Sequence, residues 1–235
     1  MMNSLSLYEE ERKKVETETW SCIALKNAVV IDCGIGENAK STKKLIEMGA
    51  DVITVDNDLT QLVNHKDVPT HLVQCDITDF PFKRSTADAI LFYFTLHEID
   101  PFLHSSIISE VSQIASQVII VEPSSGENAS YQRYAELWRE AMHAVGKFED
   151  YQPLSYWERL VSTNGFDIVL SKSIKRKEHI PPEIIEENCQ FTIQFWEEDN
   201  VPDDYIDEMR RCADYAKERG MKWSDRSVII GQSKR

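Results

Sequence analysis

No stretch of this chain approaches the roughly 18 consecutive apolar residues of a membrane-spanning helix. The first twenty residues are polar, rich in Glu and Lys, and contain no apolar core of a signal peptide, so a cytoplasmic location is expected. Positive charge is also scarce. Twenty-six Lys and Arg face forty Asp and Glu, a net charge of −14. Such a field repels a phosphate backbone, so neither nucleic acid nor a membrane surface is an expected partner. Lys172, Lys175, Arg176 and Lys177 form the one dense basic run, read as a solvated strand end. Cysteine is present but unpaired by spacing. Cys22, Cys33, Cys75, Cys189 and Cys212 are odd in number and none forms C-x-x-C, which argues against a disulfide framework or a structural zinc site.

What is there is an alternation of short apolar runs with helical segments. The runs Asn27–Asp32, Asp51–Asp56, His71–Cys75, Ala87–Tyr93, Gln117–Val121, Phe166–Leu170 and Arg226–Ile230 read as buried strands. Helices are expected over 5–24, 38–48, 58–65, from Pro101 to about Ala115, over 126–147, and from Pro153 to the Asn164-Gly165 stop. Strands alternating with helices predict an α/β fold. The expected architecture is a doubly wound, Rossmann-like, mostly parallel sheet that binds ligand beyond the carboxyl ends of its strands.

The strand ends carry the chemistry. The first leads into Asp32-Cys33-Gly34-Ile35-Gly36-Glu37-Asn38, where two glycines allow a sharp turn and close backbone approach to a ligand. Asp56 lies twenty residues beyond Gly36, at the spacing of a carboxylate that holds ribose hydroxyls. Together they point to an adenosine-containing cofactor. Gly34, Gly36 and Ala39 also satisfy the nicotinamide dinucleotide spacing. Asp32 argues against that ligand, because an anion there repels a pyrophosphate at the helix N-terminus and suits an ammonium group. The third strand ends in Cys75-Asp76-Ile77-Thr78, and the fourth leads into Tyr93-Phe94-Thr95-Leu96-His97-Glu98.

These stretches resemble the class I S-adenosylmethionine-dependent methyltransferases, and within them the small-molecule, quinone-biosynthesis-like type 11 branch. The resemblance covers about residues 27–123, and 153–170 and 226–234 more loosely. Asn38 stands where the family has its third motif glycine. The resemblance implies S-adenosylmethionine as cofactor, with S-adenosylhomocysteine as product. It implies that Asp32, Cys33, Gly34 and Gly36 surround the methionine part, that Asp56 holds the ribose with Asn57 beside it, and that Asp76 and Ile77 meet the adenine. Tyr93 is expected near the sulfonium. A seventh strand antiparallel to the rest is implied as well. A single domain is expected over 1–235: an N-terminal helix at 1–24, a cofactor-binding core at 25–123, and helical substrate-side additions at 124–152 and 178–224.

The expected reaction is methyl transfer by direct displacement to a small molecule, with a protein acceptor as a further option. An NAD(P)-dependent oxidoreductase and a non-catalytic partner-binding domain remain as alternatives. His97, just past the fourth strand, is the candidate catalytic residue, as a base or as a shaper of the pocket. His97, Glu98, Asp100 and His104 match no firm ligand motif, and no metal is expected. Tyr131, Tyr134, Trp138 and Met142 share one helical face, read as core or as a roof over substrate. Phe191, Phe195 and Trp196 are expected to face inward from the acidic segment 178–224.

Overall fold

A computed structural model of the chain describes residues 4–234. In order, its elements are α1 (Ser4–Ser21), β1 (Val29–Cys33), α2 (Lys40–Glu47), β2 (Asp51–Asp56), α3 (Leu59–Asn64), β3 (His71–Gln74) and β4 (Ala87–Tyr93). There follow α4 (Pro101–Ile114), β5 (Ala115–Pro123), α5 (Ala129–Ala144), α6 (Leu154–Thr163), β6 (Phe166–Ile174), α7 (Pro182–Glu198), α8 (Asp203–Arg219) and β7 (Arg226–Ser233). Each expected strand and helix is present, with ends displaced by a few residues. β5, β6 and β7 run longer than their apolar cores, because their ends pair with one another where side chains are polar.

The seven strands form one sheet in the order β3-β2-β1-β4-β5-β7-β6. β7 runs antiparallel between β5 and β6, as expected of the last strand. The order in which successive strands join the sheet reverses between β1 and β4, which pair in parallel. Their carboxyl ends therefore open the crevice in which such sheets bind ligands.

Period-2 alternation splits β4 between two cores. Ile90 and Phe92 face α4 and α6, packing with Ile107, Val111 and the fully buried Trp157. Ala89, Leu91 and Tyr93 face α1 and α2, packing with Val15, Trp20 and Leu45. Both faces are covered, which is why the strand reads as a continuous apolar run. α5, α7 and α8 build a third cluster beyond the sheet, around Trp196, Met209 and Tyr131, and Tyr8 of α1 joins it. Trp196 and Phe195 pack inward there as expected. Phe191 instead is 55% exposed. It lies five residues before Trp196, about 140° round the helix at about 100° per residue, and so falls off the buried stripe that Trp196 centres.

Candidate active site at the carboxyl edge of the sheet

The loop after β1 is held from both sides. Gly34 takes φ +85 and Gly36 φ +58, conformations open to glycine. A Cβ on Gly34 would meet Thr95 Oγ1 at 3.1 Å, whereas one on Gly36 would meet nothing within 4 Å. Asn38, in place of the third motif glycine, has no positive φ. Ala39, the N-cap of α2, takes one, at φ 48.

The side chain of Asp32 points under α2. Its Oδ2 accepts hydrogen bonds from Ser41 Oγ (2.8 Å) and Thr42 Oγ1 (2.7 Å). Its Oδ1 is buried without a partner. Burial pushes this carboxyl up to about 7, against the lowering effect of the two hydroxyls. Cys33 is fully buried in the core, and its carbonyl accepts from Thr95 Oγ1 at 2.6 Å. Burial and the neighbouring Asp32 push its thiol well up, so it is a packed residue with no nucleophilic character.

Asp56 reaches back from the end of β2. Its Oδ2 accepts from the Ile35 backbone N–H, and its Oδ1 from that of Asp58, each at 2.9 Å. Asn57 is exposed beside it, and its carbonyl accepts from Gln74 Nε2. Asp76 is exposed and caps a turn through Oδ1, which accepts from both the N–H and the hydroxyl of Thr78. Ile77 is buried beneath it.

Tyr93 is on the opposite side of β4 from Cys33's core. Trp20 stacks on its ring at 5.2 Å, and its hydroxyl donates to Glu16. Arg226 NH1 donates to the same hydroxyl at 3.2 Å. Burial raises the phenol well above its usual range.

His97 follows β4 in a short 3-10 turn (Leu96–Glu98). Its Nδ1 donates to Glu122 Oε2 at 2.6 Å. The other oxygen of this fully buried carboxylate accepts from the backbone N–H groups of Thr95 (2.9 Å) and Leu96 (2.7 Å). Tyr151 stacks on the imidazole, and the Tyr151 hydroxyl donates to Glu149. Burial opposes a charged imidazole, but Glu122, Glu149 and Glu98 overcome it and push His97 up to about 10. Glu149 is pushed up to about 7 by burial, against the pull of His97. His97 in this setting keeps its proton at neutral pH, which does not favour the role of a free base.

The other two residues of the histidine-acid run lie elsewhere. Asp100 caps α4. His104 donates from Nε2 to the Leu96 carbonyl and accepts at Nδ1 from the Tyr156 hydroxyl. It is a satisfied core histidine.

Beside His97 opens a cavity of about 320 Å³, walled by Phe94, Tyr131, Tyr134, Tyr151, Trp223, Arg176 and Arg226 among others. Arg226 starts β7 opposite Pro123, so the antiparallel strand brings it to this edge. Arg176 corrects the sequence reading of its basic run. Lys172 and Lys175 pair with Glu18 and Asp225 at the surface. Arg176 lines the cavity and, among the described residues, makes no ion pair. Phe94 holds a left-handed φ of 56 at the cavity wall, a strained position for an aromatic residue. Glu122, Glu149, Tyr151, Arg176 and Arg226 escaped the sequence reading. Only Glu122 carried a signal, being an acid at a strand's carboxyl end like Asp32 and Asp56.

Residues 31–117 match the family model of a methyltransferase domain, type 11. The match runs from β1 to β5. The fold is similar to that of several solved structures. One is a protein of Bacillus halodurans C-125 assigned provisionally as a methyltransferase: TM-score 0.65, 17% identity, covering 94% of this chain and 97% of that one. Another is an S-adenosylmethionine-dependent methyltransferase of Methanosarcina mazei, at TM-score 0.57 and 14% identity, covering 89% and 94%. A third is a geranyl diphosphate C-methyltransferase of Streptomyces coelicolor A3(2), at TM-score 0.58 and 10% identity, covering 97% and 82%. No curated protein sequence matches this chain.

Proposed function

We propose that this methyltransferase moves a methyl group from S-adenosylmethionine to a small-molecule acceptor seated in the aromatic-walled cavity. One observation carries the reading. The cavity that includes His97 and Phe94 adjoins the Gly34–Thr95 contact, where β1 and β4 open the sheet. A cofactor on the glycine loop and an acceptor in the cavity would meet there.

The residues present fit the cofactor. Gly36 leaves open space where a side chain would stand. Asp56 offers a half-buried carboxylate at the loop, and Asp32 has a buried oxygen without a partner. Asp56 would hold the ribose, with Asn57 beside it. Asp76 and Ile77 would meet the adenine, and Gly34, Gly36, Cys33 and Asp32 the methionine part. The bound cofactor supplies a methyl group activated by a sulfonium leaving group. The chain's own work is alignment and exclusion of water. Tyr131, Tyr134, Tyr151 and Trp223 would clamp the acceptor between rings. Arg176, without a carboxylate partner, would bind an anionic substituent. Tyr93 and Trp20 would close the α1 side. The S. coelicolor neighbour, crystallised with S-adenosylhomocysteine, supports the choice of cofactor. No helix among the described residues is long and apolar enough to cross a membrane.

Calorimetric titration with S-adenosylhomocysteine, with NADH as the paired control, tests the cofactor. The reading expects micromolar binding of the first alone. Binding of NADH alone would replace it with an oxidoreductase, and binding of neither with a non-catalytic domain.

A further inference from the structure

His97 Nε2 has a gap in front of it. The nearest acceptors are Glu149 Oε1 at 3.5 Å and Glu98 Oε1 at 3.9 Å. Hydrogen bonds of this type run about 2.7–3.2 Å, so the nitrogen lies at ion-pair distance from two carboxylates and is hydrogen-bonded to neither. One donor atom from each of the three residues lies within 4.8 Å of the other two. Ligands about 2.0–2.2 Å from a tetrahedral ion stand roughly 3.3–3.5 Å apart. The two separations from His97 Nε2, 3.5 and 3.9 Å, come near that spacing.

Three independent features support an ion there. The side chain of His97 is nine-tenths buried, and its Nδ1 is already committed to Glu122. Glu122 is itself fixed by two backbone N–H groups. A carboxylate that holds the far nitrogen of a histidine is the usual support for a metal-binding imidazole, since it sets tautomer and ring orientation. Next, the chain positions Glu149 deliberately. The Asp150 N–H donates to the His97 carbonyl at 2.7 Å, and Tyr151 both stacks on His97 and donates to Glu149. Finally, the charge is one-sided. Glu98, Glu122 and Glu149 converge on one imidazole, and among the described residues no Lys or Arg forms an ion pair with any of them.

We infer that His97 Nε2, Glu98 and Glu149 form a binding site for a first-row divalent transition-metal ion, with an open coordination position toward the aromatic cavity. One imidazole and two carboxylates suit Zn²⁺, Mn²⁺ or Fe²⁺ better than the all-oxygen ions Mg²⁺ and Ca²⁺. The site stands on geometry alone, and an ion there takes the place of the proton that the surrounding carboxylates otherwise hold on Nε2. Its consequence rests on the methyltransferase reading: an acceptor hydroxyl bound to the ion releases its proton to solvent, and the resulting anionic oxygen is the methyl acceptor. This replaces a base in the pocket and gives His97 a role as ligand.

The test uses the full chain stripped with a chelator, then titrated with Co²⁺ followed by absorption and with Zn²⁺ by calorimetry. One Zn²⁺ per chain is expected, with visible Co²⁺ bands that Zn²⁺ displaces. E149Q should weaken Zn²⁺ binding by at least about tenfold, and E122Q, which meets the imidazole only at its far nitrogen, by about 10–100-fold. D207N, on the exposed face of α8, should bind as the parent does. S-adenosylhomocysteine titration and thermal melting of the same samples report folding and cofactor binding separately. Substoichiometric Zn²⁺ binding by folded parent, or unchanged binding in both E149Q and E122Q, would overturn the site whatever the cofactor result.

Discussion

The hydroxyl of Tyr93, at the end of β4, lies 3.1 Å from the Glu16 carboxylate of α1. Lys40 of α2 and Arg226 of β7 reach the same carboxylate at 2.9 and 3.1 Å, and Trp20 Nε1 donates to it at 2.7 Å. A single acid on an otherwise weakly amphipathic helix thus ties α1 to three elements at the carboxyl edge of the sheet. Arg226 and Tyr93 line or border the region where substrate and cofactor are proposed to meet.

That arrangement makes a prediction about acid. Burial opposes the charge on Glu16, but Lys40, Trp20 and Arg226 outweigh it and lower the group to about 2. A depressed carboxyl binds fewer protons folded than unfolded. Its contribution is therefore complete above the unfolded value near 4.5 and is lost as pH falls through about 2. Melting temperature measured from pH 6 down to pH 2 should fall less steeply in Glu16→Gln than in the parent. Parallel curves would show that Glu16 is not ion-paired as described.

The two loop glycines should separate stability from binding. Alanine at either position pays roughly 1 kcal/mol for its left-handed φ. Gly34→Ala must also displace Thr95, whose hydroxyl holds the Cys33 carbonyl, so it should cost about 2 kcal/mol or more in urea unfolding. Gly36→Ala meets no protein atom. It should cost about 1 kcal/mol in stability yet weaken S-adenosylhomocysteine by more than about tenfold, because its methyl enters the space proposed for the cofactor. Equal affinity in Gly36→Ala would remove the cofactor from that loop.

Asp56 carries two duties, and the substitutions distinguish them. Asn retains an acceptor for the Ile35 N–H; Ala retains none. Asp56→Ala should weaken S-adenosylhomocysteine by about 1–3 kcal/mol, the cost of orphaned hydrogen-bond partners. Asp56→Asn should lose less stability than Asp56→Ala. A titration in which neither variant differs from the parent would refute the ribose assignment.

The fold was legible because both faces of the sheet's central strands are covered, so β1, β4 and β5 announce themselves as apolar runs. The strand-end loop was legible for a similar reason: Asp32, Gly34, Gly36 and Asp56 are close in sequence to the turns that position them. The cavity was not. Arg226 reaches it through strand pairing with Pro123, and Glu149 through a backbone bond from Asp150 to His97. Neither relationship leaves a spacing in the chain. Arg176 sits in a run of lysines and differs from them only in which way it turns. The left-handed position fell on Ala39 and not Asn38, because backbone conformation in a bent loop is set by where α2 must begin.

Asp32 should report on the neighbouring helix through pH. Its carboxyl is fully buried under the first turn of α2, with one oxygen held by Ser41 and Thr42 and the other without a partner. Burial raises it from the usual 3.8 to about 7. Between those values the folded chain holds a proton that the unfolded chain has released. The contribution of this group is therefore complete below about 4 and is lost as pH rises toward 7. It runs opposite to that of Glu16. Asp32→Asn, which cannot ionise, should remove this slope, so its stability relative to the parent should rise as pH goes from 5 to 8. Urea unfolding at those two values measures it. A relative stability that is constant across the interval would mean that Asp32 is ionised throughout, with its second oxygen solvated or bound to a cation.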